Sequence, residues 1–426
     1  MVAVALIVRL AVMHFSSPNL LDPARDHYIP GVENGHYVFA REYERIAKSI
    51  LTGGGFSDPF PVPTGPTAMV GPVYGYFLAA VFKVFGIFTA ASTTAALALN
   101  NVMASLICLP VFFIARRQFG SRIAVWSGWA WALYPHSIAG SNAWIWDTVL
   151  GTLLLTLLLL YTLKLERSSS YPAWIGYGLL WAVAALTNAN DVSILPFLGG
   201  WIFLRQWKSG RLRLAPIVLS ALVFFAGVTP WVWRCSSLFG RFIAFRDNFG
   251  LEVMVGNSSD TRRPSDWDQT PGSNLAQLQE IQRLGEPAYM AEKQREAARV
   301  IEDHTAFYIG QSLRRVLYTW TNIWEFPPPW NFSESGLPDV LFYSAISVLA
   351  FIGLGWAVRH HREETTPLVF PLIFFPIVYY LTHQDDGRFR HPIDPVVIIL
   401  AACGACFLFS RISARATGEA IPESSH

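Results

Sequence analysis

The chain has 426 residues, 52% hydrophobic and 14% aromatic but only 15% charged, which excludes an ordinary soluble domain, where about 25% of residues carry charge. A formal charge of +2 excludes a strongly basic nucleic-acid binder, and a mean hydropathy of +0.34 requires apolar spans to share the sequence with sizeable water-exposed segments. Cys108, Cys235, Cys403 and Cys406 are too few for a disulfide scaffold, and no Cys/His cluster has zinc-ligand spacing. Cys403-Gly404-Ala405-Cys406 lies in an apolar run and reads as helix packing.

Met1 to Phe15 is apolar apart from Arg9 and His14. It reads as a short first span, or as one truncated by a misplaced start codon; no small-residue cleavage site marks a signal peptide. An amphipathic stretch from Tyr37 to Leu51 follows, with Glu42, Arg45 and Lys48 at helical spacing, and Gly53-Gly54-Gly55 breaks it. Residues 70–86, rich in Pro, Gly and aromatics and interrupted by Lys83, are expected along the membrane interface rather than across it. Beyond them, uncharged gaps locate the spans: Lys83 to Arg116, Arg122 to Asp147, Asp147 to Lys164, Arg213 to Arg234, and Asp339 to Arg359. Weaker candidates lie at 171–190, 191–206, 366–382 and 394–411. The tail after Ala414 reads as disordered.

Basic turns at Arg116-Arg117 with Arg122, Lys164 with Arg167, Arg205 to Arg213, Arg359 to Arg362, and Arg411 with Arg415 can all face the cytoplasm if the spans alternate strictly. Both chain ends are then cytoplasmic, and residues 16–90, Asn142 to Asp147 and 235–337 lie outside. The expected fold is an all-α polytopic membrane protein of about ten transmembrane helices, with juxtamembrane helices in the first outer loop and a large outer segment after the seventh span. The expected division is an N-terminal transmembrane catalytic module (1–234, with a first outer loop at 16–90), an outer segment (235–337), C-terminal transmembrane helices (338–414) and a cytoplasmic tail (415–426).

Ionisable groups gather at the expected outer mouth: Glu42, Asp147, Asp191, Arg234, Arg241, Arg246, Asp385, Asp386, Arg388, Arg390, His391 and Asp394. Arginines there oppose the positive-inside bias, and an anionic ligand at the membrane surface gives them a use, because a guanidinium grips phosphate with two parallel hydrogen bonds. Pairing of Arg388 and Arg390 with Asp385 and Asp386 is the plainer alternative. A carboxylate on the first outer loop has a different use, as a base that deprotonates a hydroxyl or amine. Asp26, Glu33, Glu42 and Glu44 are the candidates; Glu42 stands beside Phe39 and Ile46 at helical spacing, toward the membrane side. No phosphate loop or dinucleotide fingerprint is present, which argues against a cytosolic nucleotide-activated donor.

The order of the motifs is informative. Glu42 precedes Arg45-Ile46-Ala47, Gly55-Phe56, Gly65-Pro66-Thr67-Ala68, Pro72-Val73-Tyr74 and Phe85-Gly86; then come Arg116-Arg117-Gln118-Phe119-Gly120 and Trp131-Ala132-Leu133-Tyr134-Pro135. Thr229-Pro230-Trp231, Asn248-Phe249-Gly250-Leu251-Glu252, Gly256-Asn257 and Arg388-Phe389-Arg390-His391-Pro392-Ile393-Asp394-Pro395 complete the series. In this order the sequence resembles the bacterial polyprenyl-phosphate-dependent glycosyltransferases of the membrane C superfamily, which includes protein O-mannosyltransferases and lipid A aminoarabinose transferases.

The resemblance implies an inverting glycosyltransferase that moves one sugar from a polyprenyl phosphate carrier to an acceptor on the outer face of the cytoplasmic membrane. The acceptor, a lipid, glycan or protein, is left open. It implies a catalytic carboxylate on the first outer loop, here Glu42, and a second acidic residue in the next, here Asp147. Arg388 and Arg390, with His391, Arg234, Arg246 and Lys83, would bind the donor phosphate, while Tyr43, Tyr74 and Glu252 would shape the substrate site. No cofactor is certain, and a divalent cation remains open. Related enzymes commonly place Asp, often Asp-Glu, at the catalytic position, where this chain has Glu42-Tyr43. A transporter or flippase of lipid-linked sugars, or an inactive binding protein of the same fold, are the alternatives.

Overall fold

A computed structural model of the chain describes residues 1–20, 41–257, 265–324, 336–384 and 387–417. Every named element is helical. In chain order these are α1 (Val2–Leu20), α2 (Arg41–Leu51), α3 (Pro72–Phe85), α4 (Ala90–Leu106), α5 (Cys108–Ala132), α6 (Pro135–Ala143), α7 (Thr148–Leu165), α8 (Tyr171–Thr187), α9 (Leu195–Lys208) and α10 (Leu214–Phe239). There follow α11 (Phe249–Gly256), α12 (Leu275–Leu284), α13 (Glu286–Asp303), α14 (Thr305–Thr321), α15 (Leu337–His360), α16 (Arg362–Phe374), α17 (Ile377–Leu381) and α18 (Asp394–Thr417).

The all-α expectation holds, but the expected count of ten spans does not. Among the described residues, 6 helical stretches are long and apolar enough to cross a membrane: Ala90–Ala143, Thr148–Leu165, Leu214–Phe239, Leu337–His360, Arg362–Leu381 and His391–Ser413. The difference has local causes. Segments 171–190 and 191–206 form helices of 17 and 14 residues separated by a 3₁₀ turn at Ala189–Ser193. At 1.5 Å per residue these reach about 25 and about 21 Å, short of the ~30 Å hydrocarbon layer. The apolar part of α1, Val2–Phe15, is likewise short. The two spans expected on either side of Arg116 and Arg122 belong to one continuous stretch, Ala90–Ala143, which bends at Gly120, where φ is 85° and only glycine is comfortable. The large polar segment 235–337 accordingly follows the third of the six stretches rather than a seventh span.

That segment carries α11 to α14, and His304 ends α13 and separates it from α14. The amphipathic stretch of the first loop is the helix α2, whose Tyr43, Ile46 and Ala47 share one buried face at i, i+3 and i+4 while Lys48 is exposed. Two large apolar cores result, beside a small cluster of Ala182, Ala185 and Val228. One gathers α5, α7, α8, α9 and α18 around Trp131, Leu155, Trp181 and Ile399. The other packs α2 and α3 against α11, α12 and α13 around Tyr43, Tyr74, Leu251 and Tyr289. In the first, α15 lies directly on α18, and Gly353 and Gly404 allow it, since a Cβ on either would meet the opposite helix's backbone. Cys403 and Cys406 are unbonded thiols on α18, Cys403 buried in this core, in keeping with the packing role expected of them.

Candidate functional site

Five separate segments converge where the two cores meet. The α6–α7 link contributes Trp144-Ile145-Trp146-Asp147: Pro135 starts α6, extended backbone at Trp144 ends it, and the Leu-rich α7 begins immediately after Asp147. Asp147 occupies the N-cap position of α7 without using its carboxylate as a cap. Instead the Tyr43 hydroxyl on α2 donates to Asp147 Oδ2 at 2.9 Å. Burial and the adjacent Asp147 charge push the Tyr43 phenol far above its ordinary value, so it remains a donor at neutral pH. Burial also raises the Asp147 carboxyl, against the opposing pull of Arg246, the Tyr43 hydrogen bond and Arg388.

The two guanidiniums arrive from different parts of the chain. Arg246, in the link after α10, donates from Nε to the Met69 carbonyl at 2.6 Å and pairs with Glu252 of α11 at 3.8 Å. Glu252, Tyr43, Asp147 and Tyr379 all lie within its electrostatic reach. Arg388, on the 3₁₀ turn Gly387–Phe389, stands over the rings of Trp146 (5.0 Å), Trp144 (5.7 Å) and Phe389 (4.9 Å). Glu252 also accepts from Asn248 and faces His383 Nδ1 at 3.1 Å. Burial alone would raise the Glu252 carboxyl, but the His383 hydrogen bond and charge, with Arg246 and Arg388, outweigh it and hold Glu252 below its ordinary value.

Other residues singled out from the sequence sit elsewhere. Glu42 is half-buried on the polar side of α2, and a side chain at Gly272 of the polar segment 235–337 would approach it to 3.9 Å. Tyr74 on α3 packs edge-on against Tyr43 at 5.1 Å and so supports the site from behind. Lys83 is exposed toward the far end of α3. Arg234 clamps the first loop to α10: its guanidinium donates to the Thr67 and Phe56 carbonyls at 3.1 and 2.6 Å and covers the Trp231 ring. Arg390 and His391 point into the helix core. Arg390 is fully buried, with Nε on Asp394 at 2.8 Å, Nη1 on Ser347 Oγ and the Thr319 carbonyl, and Nη2 on the Tyr134 hydroxyl. His391 Nδ1 is 2.8 Å from Thr152 Oγ1 on α7. Asp26, Glu33, Asp385 and Asp386 lie outside the described residues.

His383, Trp144 and Trp146 are site residues that the sequence does not single out. A Trp-x-Trp-Asp motif at the mouth of an apolar helix was the available signal for the tryptophans; His383 carried none beyond being a lone histidine after a span. Among the described residues, no group of three or more His, Cys, Asp or Glu side chains could hold a metal ion. The cations flanking Asp147 do not suit one either. What the arrangement does suit is an anion held between Arg246 and Arg388, next to buried carboxylates and aromatic faces.

The family model for dolichyl-phosphate-mannose-protein mannosyltransferase matches residues 68–233, a stretch that includes Tyr74, Lys83 and Asp147. No curated protein matches the chain. Among solved structures, the archaeal oligosaccharyltransferase AglB from Archaeoglobus fulgidus, in complex with an inhibitory peptide and a dolichol-phosphate, aligns with a TM-score of 0.54 at 17% identity, covering 99% of this chain and 52% of that one. The A. fulgidus oligosaccharyltransferase in complex with Zn and sulfate aligns at 0.53 and 15% identity, over 98% of this chain and 50% of that one. This chain thus spans about half the length of those proteins. The resemblance read from the motifs stands: this is a polytopic membrane protein similar to the mannosyltransferase family in sequence and to an oligosaccharyltransferase in fold.

Proposed function

We propose that the protein is an inverting glycosyltransferase that moves a sugar from a polyprenyl phosphate carrier to an acceptor on the outer face of the cytoplasmic membrane. The observation that carries this reading is the convergence of Arg246 and Arg388 on Asp147 and Tyr43, at the junction of the apolar helices and the polar segment. The dolichol-phosphate in the A. fulgidus complex supports the donor class.

In the proposed reaction Glu42 takes a proton from the acceptor's hydroxyl or amine as that atom attacks the anomeric carbon. The bond from that carbon to the phosphate oxygen breaks, and the electron pair leaves with the polyprenyl phosphate. Arg246 and Arg388 neutralise the charge that develops there, the contribution that usually dominates such catalysis. Asp147, fixed by Tyr43, orients the sugar. Arg390 acts indirectly: its bonds to Asp394, Ser347 and Tyr134 hold the end of the turn that presents Arg388. Residues 1–234 supply Glu42, Tyr43 and Asp147, the C-terminal helices bring Arg388, and 235–337 supplies Arg246 and shapes the acceptor side, where a side chain at Gly272 would come within 3.9 Å of Glu42. No step is routed through a metal ion. Lipid mass spectrometry of cells lacking the protein tests the reading: a polyprenyl-phospho-sugar should accumulate, and an unchanged lipid-linked sugar pool would contradict it.

A further inference from the structure

The helix α14 is inverted for a helix in water. Its inner face is polar: Gln311, Arg315 and Thr319 are buried at i, i+4 and i+8, and Arg315 is 0% exposed. Its outer face is apolar, with Ile309, Leu313, Val316 and Leu317 exposed in one stripe at i, i+4, i+7 and i+8, Leu313 to 64%. The two preceding helices of the same polar segment have the ordinary arrangement. α12 buries Leu278 and Ile281 and exposes Gln279, Gln282 and Arg283; α13 buries Tyr289, Met290 and Ala297 and exposes Arg295 and Arg299.

The polar face of α14 fastens it to the protein beside the candidate site. Arg315 donates to the Tyr380 carbonyl at 3.1 Å, to Asn257 Oδ1 at 3.0 Å and to the Gly256 carbonyl. Thr319 Oγ1 donates to Gln384 Oε1 at 2.6 Å, and the Thr319 carbonyl accepts from Arg390. The apolar face continues onto a membrane-length helix. α14 packs directly on α15, where the Trp320 ring lies 4.9 Å from that of Phe351, near the middle of α15, and Ser344 Oγ donates to the Thr321 carbonyl at 3.4 Å. Around this contact α15 itself exposes Leu341, Val348 and Phe351. Polar groups turned inward and an apolar stripe turned outward are what hydrocarbon selects, because lipid tails offer no hydrogen-bond partner. Arg314 is exposed on the flank of the stripe, where its stem can lie along apolar surface and its guanidinium reach a headgroup phosphate. With 17 residues and two arginines, α14 is not among the six membrane-length stretches, and composition does not show that Arg315 is hidden. We infer that α14 is embedded in the bilayer leaflet bordering the candidate site, with Ile309, Leu313, Val316 and Leu317 against lipid acyl chains, and that it does not cross to the other face. The inference is independent of the proposed reaction.

The test uses the full chain in liposomes of phosphatidylethanolamine and phosphatidylglycerol. A nitroxide is attached at Leu313→Cys, at Leu317→Cys or, as the water-facing control, at Arg299→Cys, each in a Cys406→Ser background, since Cys108, Cys235 and Cys403 are buried. The ratio of collisions with dissolved oxygen to collisions with a water-soluble nickel chelate should be several-fold higher at 313 and 317 than at 299. Equal ratios at all three positions place the stripe in water and overturn the inference. Protection from both quenchers at 313 and 317 means that protein covers the stripe, and loss of oxygen access only on addition of undecaprenyl phosphate gives it to an isoprenoid chain; either overturns acyl chains as the occupant. A second measurement needs no substitution. A lipophilic diazirine photolysed in the bilayer should modify the parent's peptide containing Leu313 and Leu317 as it does that containing Leu341 and Val348, while sparing α12; modification of α15 without α14 overturns the inference.

Discussion

The hydroxyl of Tyr43 donates to Asp147 Oδ2 at 2.9 Å across 104 residues of sequence, fastening α2 to the start of α7. Tyr43→Phe keeps the ring packed on Tyr74 and Trp146 but leaves the buried carboxylate without this donor. A loss of about 1–3 kcal/mol in stability is expected, with a larger proportional fall in sugar transfer than in donor binding. Unfolding of the detergent-solubilised protein, set beside transfer kinetics, checks both.

The two arginines of the Arg388-Phe389-Arg390 motif should respond differently. Arg388→Lys keeps the charge but loses the planar fork and the stacking on Trp146, so affinity for citronellyl phosphate should fall while the unfolding temperature holds. Asp394→Asn removes the ionic partner of the buried Arg390 and should cost about 3–5 kcal/mol of stability. If Asp394→Asn left stability unchanged and Arg388→Lys left phosphate affinity unchanged, the assignment of roles within the motif would be reversed.

A second carboxylate pair sets a pH dependence. Glu286 accepts the Ala68 N–H at 2.6 Å, and burial with the neighbouring Asp247 charge pushes its carboxyl from an ordinary 4.5 up to about 8, against Ala68, Thr67 and Arg234. Asp247, bonded to Arg241 and close to Arg246, is pushed by burial up to about 6. Between the ordinary and the raised values the folded protein keeps protons that the unfolded chain has released. Stability therefore falls as pH rises from about 4.5 through about 8, and is highest at the acid end of that window. Glu286→Gln cannot ionise yet still accepts from Ala68, so its unfolding temperature should change much less over the same range.

Much of this was legible in the sequence, for identifiable reasons. The helical character, the amphipathic α2 and the apolar α7, α10 and α15 follow from periodicity and from uncharged runs, which are local signals. The number of membrane-length helices was not legible, because composition cannot show that the 3₁₀ turn at Ala189–Ser193 cuts an apolar run into pieces of 17 and 14 residues. The charge pattern grouped Arg246 and Arg388 with Asp147 among many other ionisable residues, and the fold brings these three within electrostatic reach, but sequence spacing could not say that Arg390, two residues from Arg388, turns inward to Asp394. Direction is a property of the turn Gly387–Phe389, and no count of charges contains it.

In the proposed reaction Glu42, the residue before Tyr43 on α2, is the base that activates the acceptor, while Arg246 and Arg388 hold the donor phosphate. Purified protein supplied with a polyprenyl-phospho-sugar and a membrane-lipid extract as acceptor source, compared with its Glu42→Gln variant, tests this most directly. The amide preserves shape and hydrogen bonding but removes basicity, so turnover should fall by roughly 10²- to 10⁴-fold while donor binding survives. A Glu42→Gln protein that keeps more than about a tenth of parental turnover would contradict the account and move proton abstraction to another carboxylate.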